Sequence, residues 1–309
     1  MIAVGRLSRI LLIADDPEQL AHFYESAFGF LRTKERLVNE AAFAAFMDIP
    51  DASARIITLQ LGDQEIELAG VHPPGRAYPQ AIAGWNVLFQ HFAIVVSDMT
   101  AAYSRLSGLT NWTAISTDGP VLLPPASGGV IAFKFRDPEG HPLELLAFAA
   151  NAIPGYWQRH SSNCCLGIDH SAISVRDTER SVAFYEGLGL RRMPGSLNVG
   201  ESQDRLDDIT AARVEVTPLA PAECATPHLE LLCYRDGFSQ HGTPARTNDR
   251  AATQLIFTIE SAEALELLSP QNAKARLSGP DLFDDGKLRA LFREPDGHLI
   301  CLEAPSKTA

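Results

Sequence analysis

The chain has 309 residues, 46% hydrophobic and 21% charged, with a formal net charge of −12 at neutral pH. That length suits two domains with ordinary cores, and the acidic balance, with no basic stripe, argues against nucleic acid or an anionic membrane as a partner. Five cysteines, Cys164, Cys165, Cys224, Cys233 and Cys301, all fall in the second half and form no CxxC pair, which disfavours a disulfide framework and points to a reducing, cytoplasmic compartment.

Residues 10–14 form the first apolar run, too short for a signal-peptide core or a membrane span, and read as a buried strand. Asp16 closes it as an N-cap, and a helix is expected over 17–28 with Pro17 in its first turn. Strand-like runs follow at 55–61 and 65–68. A second opening strand carries His91 seven residues before Asp98, and the turn Asp137-Pro138-Glu139-Gly140-His141 suits a tight hairpin. Residues 151–164 join the halves. A third opening strand carries His170 seven residues before Asp177, followed by a helix expected over 178–188 and ended by Gly189. The fourth copy opens at 253–259, has a short helix at 262–268 and repeats the turn as Glu294-Pro295-Asp296-Gly297-His298.

One unit, strand-helix-strand-strand-strand, is therefore written four times, at about 5–70, 86–150, 165–235 and 250–305. A His before Asp in the opening strand, with a closing Asp-Pro-x-Gly-His-x-x-Glu segment, resembles the vicinal oxygen chelate superfamily, which includes glyoxalase I, extradiol dioxygenases and bleomycin-resistance proteins. The resemblance implies an α+β fold in which four βαβββ modules pair into two domains with U-shaped mixed sheets, residues 1–150 and 165–309. It implies a cavity in each, metal ligands on the first and last strand of each module, and a small-molecule substrate with vicinal oxygens. It allows a homodimer.

By this resemblance the ligand positions of the first half are Arg9, Glu67, His91 and Glu144. Those of the second are His170, Glu230, Gln254 and Cys301, with Glu303 on the same strand face as Cys301. Alternation turns Glu67 and Glu144 away from their apolar neighbours, and a buried Glu needs a metal or a cation. Arg9 departs from the family pattern because a guanidinium cannot ligate a metal; it is expected to neutralise Glu67 or Glu144. The candidate metal ligands are His170, Glu230, Gln254, Glu67, His91 and Glu144, for a divalent Fe, Mn, Ni or Zn, and the candidate bases are Glu230 and Glu144. Neither half offers two His and one carboxylate, so an extradiol reaction is disfavoured. The rival reading is a metal-free binding protein of the bleomycin-resistance type. His141 and His298 read as solvated turn residues and His22, on a helix, as a surface or half-buried residue. His160, His228 and His241 show no cluster spacing, and the loop with Arg205, Asp207 and Asp208 is placed to touch a substrate, although a charge run is usually a solvated face.

Overall fold

The computed structural model describes residues 4–80, 82–159, 161–235, 243–268 and 270–306. Its local order follows the expected punctuation. Asp16 accepts the N–H groups of Glu18 and Gln19, Asp98 that of Ala101, and Asp177 that of Arg180, which satisfies otherwise unpaired donors at three helix starts. Unit 1 contains β1 (Val4–Ala14), α1 (Pro17–Phe28), β2 (Leu31–Val38), α2 (Ala41–Met47), β3 (Ser53–Leu61) and β4 (Gln64–His72). Gly29, at φ +73°, ends α1. Unit 2 contains β5 (Gln90–Val96), α3 (Met99–Ser107), β6 (Thr113–Ala114), β7 (Val121–Leu122), β8 (Ile131–Arg136) and β9 (Pro142–Ala147).

Unit 3 contains β10 (Cys165–Ser174), α4 (Thr178–Glu186), β11 (Arg191–Arg192), β12 (Ser196–Val199), α5 (Glu201–Asp207), β13 (Arg213–Ala220) and β14 (His228–Tyr234). α4 stops at Gly187, earlier than Gly189, because the N–H of Gly189 turns back onto the Glu186 carbonyl. Unit 4 contains β15 (Gln254–Ile259), α6 (Pro270–Lys274), β16 (Arg276–Leu282), β17 (Lys287–Arg293) and β18 (Leu299–Pro305); its first helical segment, Ala262–Leu267, is a 3₁₀ helix. The α2 and α5 helices are additions to the repeat that the strand-helix-strand-strand-strand reading lacked. No helix among the described residues is long and apolar enough to cross a membrane.

The class is α+β, with two mixed sheets. The sheets do not form within the halves, however. One runs β16-β17-β18-β15-β1-β4-β3-β2 and joins units 4 and 1; the other runs β11-β13-β14-β10-β5-β9-β8-β6 and joins units 3 and 2, with β12 on β13 and β7 on β8. The seams are antiparallel pairs of opening strands, β1 with β15 and β10 with β5. This corrects the expectation that modules pair within residues 1–150 and within 165–309.

The reason lies in how units of one half meet. In the first half, α1 packs against unit 2: Tyr24 stacks with Phe92, Phe28 abuts Phe135, and the Tyr24 hydroxyl donates to Asp137. The turn motif then grips the neighbouring unit. Glu139 accepts the N–H groups of Asp15 and Asp16, and His141 donates from Nε2 to the Ile13 carbonyl at 3.0 Å. In the second half Asp296 accepts the backbone N–H of Arg176, and His298 donates to the Ser174 carbonyl at 3.0 Å. Units of one half are thus held through helices and turns, which leaves the opening-strand edges to pair across halves. His141 and His298 are 1% and 6% exposed; they are interlocks between units, not solvated turn residues. One apolar core spans both sheets and includes Ile10, Ile66, Leu143 and Leu145 beneath the helices, each contributing about 2–3 kcal/mol on burial.

Candidate metal centre

Register places the side chains. On the sheet of units 2 and 3, Ala172 of β10 lies between Glu230 of β14 and His91 of β5. In the adjacent row, His170 pairs with Ala93, and Ala93 pairs with Glu144 of β9. Ile66, Leu68, Leu143 and Leu145 face the helices, so the alternate positions face the concave side. Ala93 and Ala172 are small and fully buried, which leaves the four larger side chains room to converge. A register shift between Ile168 and His170 lets consecutive residues Asp169 and His170 both reach the cavity.

The distances form one cluster. His91 Nε2 lies 3.0 Å from Glu144 Oε2, and His170 Nε2 lies 3.7 Å from Glu144 Oε2 and 3.6 Å from Glu230 Oε2. Ligand atoms of His91, Glu144 and His170 all fall within 4.8 Å of one another. His170 Nδ1 sits 3.1 Å from Asp169 Oδ2, and Asp169 accepts a hydrogen bond from Trp157 Nε1 at 2.9 Å. Behind Glu230, His228 Nε2 is 3.4 Å from Glu230 Oε1. A cavity of about 290 Å³ opens above, lined also by Lys134 and Gln203.

Burial and charge set the protonation. Burial alone would lower His170, but the carboxylates of Glu230, Asp169 and Glu144 raise its imidazolium well above the usual value. Burial dominates at His91 and lowers it, despite Glu144. For Glu144, burial would raise the carboxyl, yet the two imidazoles and Lys134 hold it well below the carboxylate range. Glu230 likewise ends below its ordinary value, burial being outweighed by His170 and His228.

The donor set fits a divalent ion. His91, Glu144 and His170 bring ligand atoms close enough to share one ion, Glu230 stands beside them at 3.6 Å from His170, and the Asp169 contact fixes His170 Nδ1 as the donor so that Nε2 faces the centre. With β5 beside β10, two His and one carboxylate do meet, which removes the basis for disfavouring an extradiol-type set.

The other sheet carries the equivalent positions differently. Arg9 takes the place of His170, Glu67 of Glu230, Gln254 of His91 and Cys301 of Glu144. Where the first sheet has Ala172 and Ala93, this one has Leu11 and Ile256. Arg9 Nη2 bonds Glu303 Oε2 at 2.6 Å, and its Nε lies 3.4 Å from Glu67 Oε1. Arg36 also reaches Glu67 at 3.1 Å, and Lys287 and Arg289 reach Glu303 at 2.7 and 2.8 Å. Gln254 Nε2 rests 3.8 Å from Met47 Sδ of α2, and Cys301 packs among Phe46, Met47 and Phe283. Arg9 therefore neutralises Glu67 and Glu303; Glu144 lies in the other cavity. Gln254 and Glu67 are not brought to the His170 cluster.

Three residues of the site carry no recognised signal in the sequence. His228 reaches Glu230 although its spacing suggests no cluster. Asp207, read as solvated, is 3% exposed and bonds Lys134 Nζ at 2.7 Å. Asp169 has no signal of its own beside His170. His22 is exposed, as expected; His160 and His241 lie outside the described residues.

Residues 6–145 match the model of the Glyoxalase/Bleomycin resistance protein/Dioxygenase superfamily. Glyoxalase I from Zea mays superposes with a TM-score of 0.59 at 17% identity, covering 97% of this chain and 92% of that one. A proposed dioxygenase from Bacillus subtilis superposes with a TM-score of 0.62 at 14% identity, covering 99% of this chain and 87% of that one. A comparison with curated proteins gave no match. At these identities the structural likeness speaks to the fold alone, while the family match identifies residues 6–145 with the Glyoxalase/Bleomycin resistance protein/Dioxygenase superfamily.

Proposed function

We propose that the protein is a metal-dependent enzyme of the glyoxalase and dioxygenase-like kind, with one working site per chain, acting on a small substrate with adjacent oxygens. The convergence of His91, Glu144, His170 and Glu230 on one cavity floor carries this reading. The first and last strands of units 2 and 3 supply His, Glu, His and Glu, which fills every ligand position that glyoxalase-like enzymes use. The chemistry a bound Fe, Mn, Ni or Zn ion supplies at such a centre is polarisation of the substrate oxygens.

The chain's own residues supply the proton chemistry. Glu230 is assigned as the base that moves a proton next to a carbonyl. Its side chain is 19% exposed against 8% for Glu144, and its imidazole contacts, at 3.4 and 3.6 Å, are looser than the 3.0 Å contact that pins Glu144. Asp169 orients His170, and the buried floor limits water at the reacting atoms.

The test is carbon-bound hydrogen exchange in D₂O on small α-hydroxycarbonyl compounds, with metal-loaded protein. Glu230→Gln should stop exchange and leave most of the metal in place; a variant that exchanges normally overturns the assignment of Glu230. A second reading, a metal-free binding protein, draws on the His170 imidazole lying among Glu144, Glu230 and Asp169, where a proton offsets one of the three carboxylate charges without an ion. Ligand binding by protein that takes up none of the four ions would decide for it.

A further inference from the structure

The wall above the centre holds a polar group that the proposed chemistry does not use. Lys134 on β8 stands directly across the strand pair from Glu144 and is 4% exposed. Its ammonium donates to Asp207 Oδ1 at 2.7 Å. Asp207 also accepts from Gln203 Nε2 at 2.6 Å and from the Tyr234 hydroxyl at 2.9 Å, both on Oδ2. Lys134 has three N–H donors, and among the described residues Asp207 is its one carboxylate within 4.0 Å. Gln203 is 3% exposed, and its Oε1 is buried without a hydrogen-bond partner among the described residues. Asp207, an ion-paired carboxylate, fixes the amide orientation, because only the amide nitrogen can donate to it. Lys134 and Gln203 both line the cavity.

We propose that Lys134 and Gln203 form a subsite for one neutral hydroxyl of the substrate, additional to the adjacent oxygens held at the floor. The proposal rests on the reading of the floor as a metal centre. An unbonded buried acceptor costs about 1–3 kcal/mol unless something fills it. A hydroxyl accepts from Lys134 and donates to Gln203 Oε1 at once. A carboxylate cannot donate to Oε1, and an ammonium is repelled by Lys134. Charge points the same way. A divalent ion is balanced by Glu144 and Glu230, Lys134 by Asp207, and Asp169 leaves the cavity negative, so no cation remains to favour an anionic ligand. The substrate class is thus a small, neutral, polyhydroxylated or hydroxylated carbonyl compound.

The test uses zinc-loaded full-length protein and calorimetric titration with catechol, pyrogallol and 1,2,4-trihydroxybenzene. Catechol offers only the adjacent pair; pyrogallol adds a third hydroxyl on the carbon next to that pair, and 1,2,4-trihydroxybenzene adds it one carbon farther. At least one triol should bind about tenfold tighter than catechol. Gln203→Met should erase that advantage and leave catechol affinity within about twofold. Lys134→Met leaves Asp207 buried without its cation and is prone to misfold. The paired Lys134→Gln, Asp207→Asn change keeps the hydrogen bond without charge, and should also lose the triol preference. Equal affinity for all three compounds in the parent protein, or a preference that survives Gln203→Met, overturns the subsite. A parent protein that holds none of Fe, Mn, Ni or Zn overturns the metal reading itself, and the subsite with it.

Discussion

Replacing Arg9 with Gln tests whether the second concavity is an ionic lock or a latent metal site. Arg9 is 8% exposed and bridges Glu303 and Glu67, themselves 3% and 5% exposed. Burial would raise Glu303, but Arg9, Arg289 and Lys287 bring it down to about 2. A carboxyl held at about 2 instead of 4.5 is favoured in its charged form by about 3 kcal/mol. Three cations share that sum, and Arg9 makes the shortest contact, so its part at Glu303 is about 1–2 kcal/mol. Loosening Glu67, which keeps Arg36 at 3.1 Å, adds about 1 kcal/mol. The variant should lose about 2–3 kcal/mol in urea unfolding at pH 7, less than the cost of stranding a buried charge entirely. The sign with pH follows from the depressed carboxyl: its stabilisation is present above the unfolded value of 4.5 and is lost as pH falls toward 2. The gap between parent and variant should therefore narrow below about pH 4. Metal content should not change, because Leu11, Ile256 and Met47 fill the space that Ala172 and Ala93 leave open on the other sheet. A loss under about 0.5 kcal/mol, or a second equivalent of metal, refutes this reasoning.

Three further outcomes follow from the same geometry. Glu294 is pushed up to about 8 by burial and by Asp296, and its Oε2 has no hydrogen-bond partner among the described residues. The folded chain keeps that proton while the unfolded chain loses it above 4.5, so Glu294 lowers stability as pH rises from about 4.5 to 8, and Glu294→Gln should remove that part of the slope in paired unfolding titrations. An unchanged slope contradicts the burial argument. His141→Ala breaks the bonds to Ile13 and Asp137 and should cost about 2–3 kcal/mol, with hydrogen exchange rising first at the end of β1; exchange confined to the hairpin itself would speak against an interlock. The carboxylates around His170 raise it well above the usual imidazole range, so metal uptake should release protons and tighten as pH rises. Calorimetry in buffers of different ionisation heat reads that proton count, and a count of zero would contradict it.

Much of the fold was legible because its signals are local. Asp16, Asp98 and Asp177 cap helices where the residue type demands it, and alternation alone turned Glu144 away from Leu143 and Leu145. Strand pairing across halves is a long-range choice that neither spacing nor composition encodes, so the positions came out without their partners. With β5 beside β10, His91 and Glu144 join His170 and Glu230, while Arg9 and Glu67 join Gln254 and Cys301. One contrast in the sequence does distinguish the two sites: Ala93 and Ala172 stand where the other sheet has Ile256 and Leu11. His141, His298 and Asp207 escape sequence reasoning for a common reason. A polar residue beside a turn or in a charge run is usually solvated, and only tertiary contacts with Ile13, Ser174 and Lys134 bury these three.

The most direct measurement is metal stoichiometry per chain for the parent protein and for His91→Ala, His170→Ala and Arg9→Gln, each prepared without an affinity tag or chelator and then offered Fe, Mn, Ni and Zn. One equivalent is expected in the parent and in Arg9→Gln, and close to none in either histidine variant. Two equivalents in the parent, or one that survives both histidine changes, would contradict the assignment of the working centre to units 2 and 3.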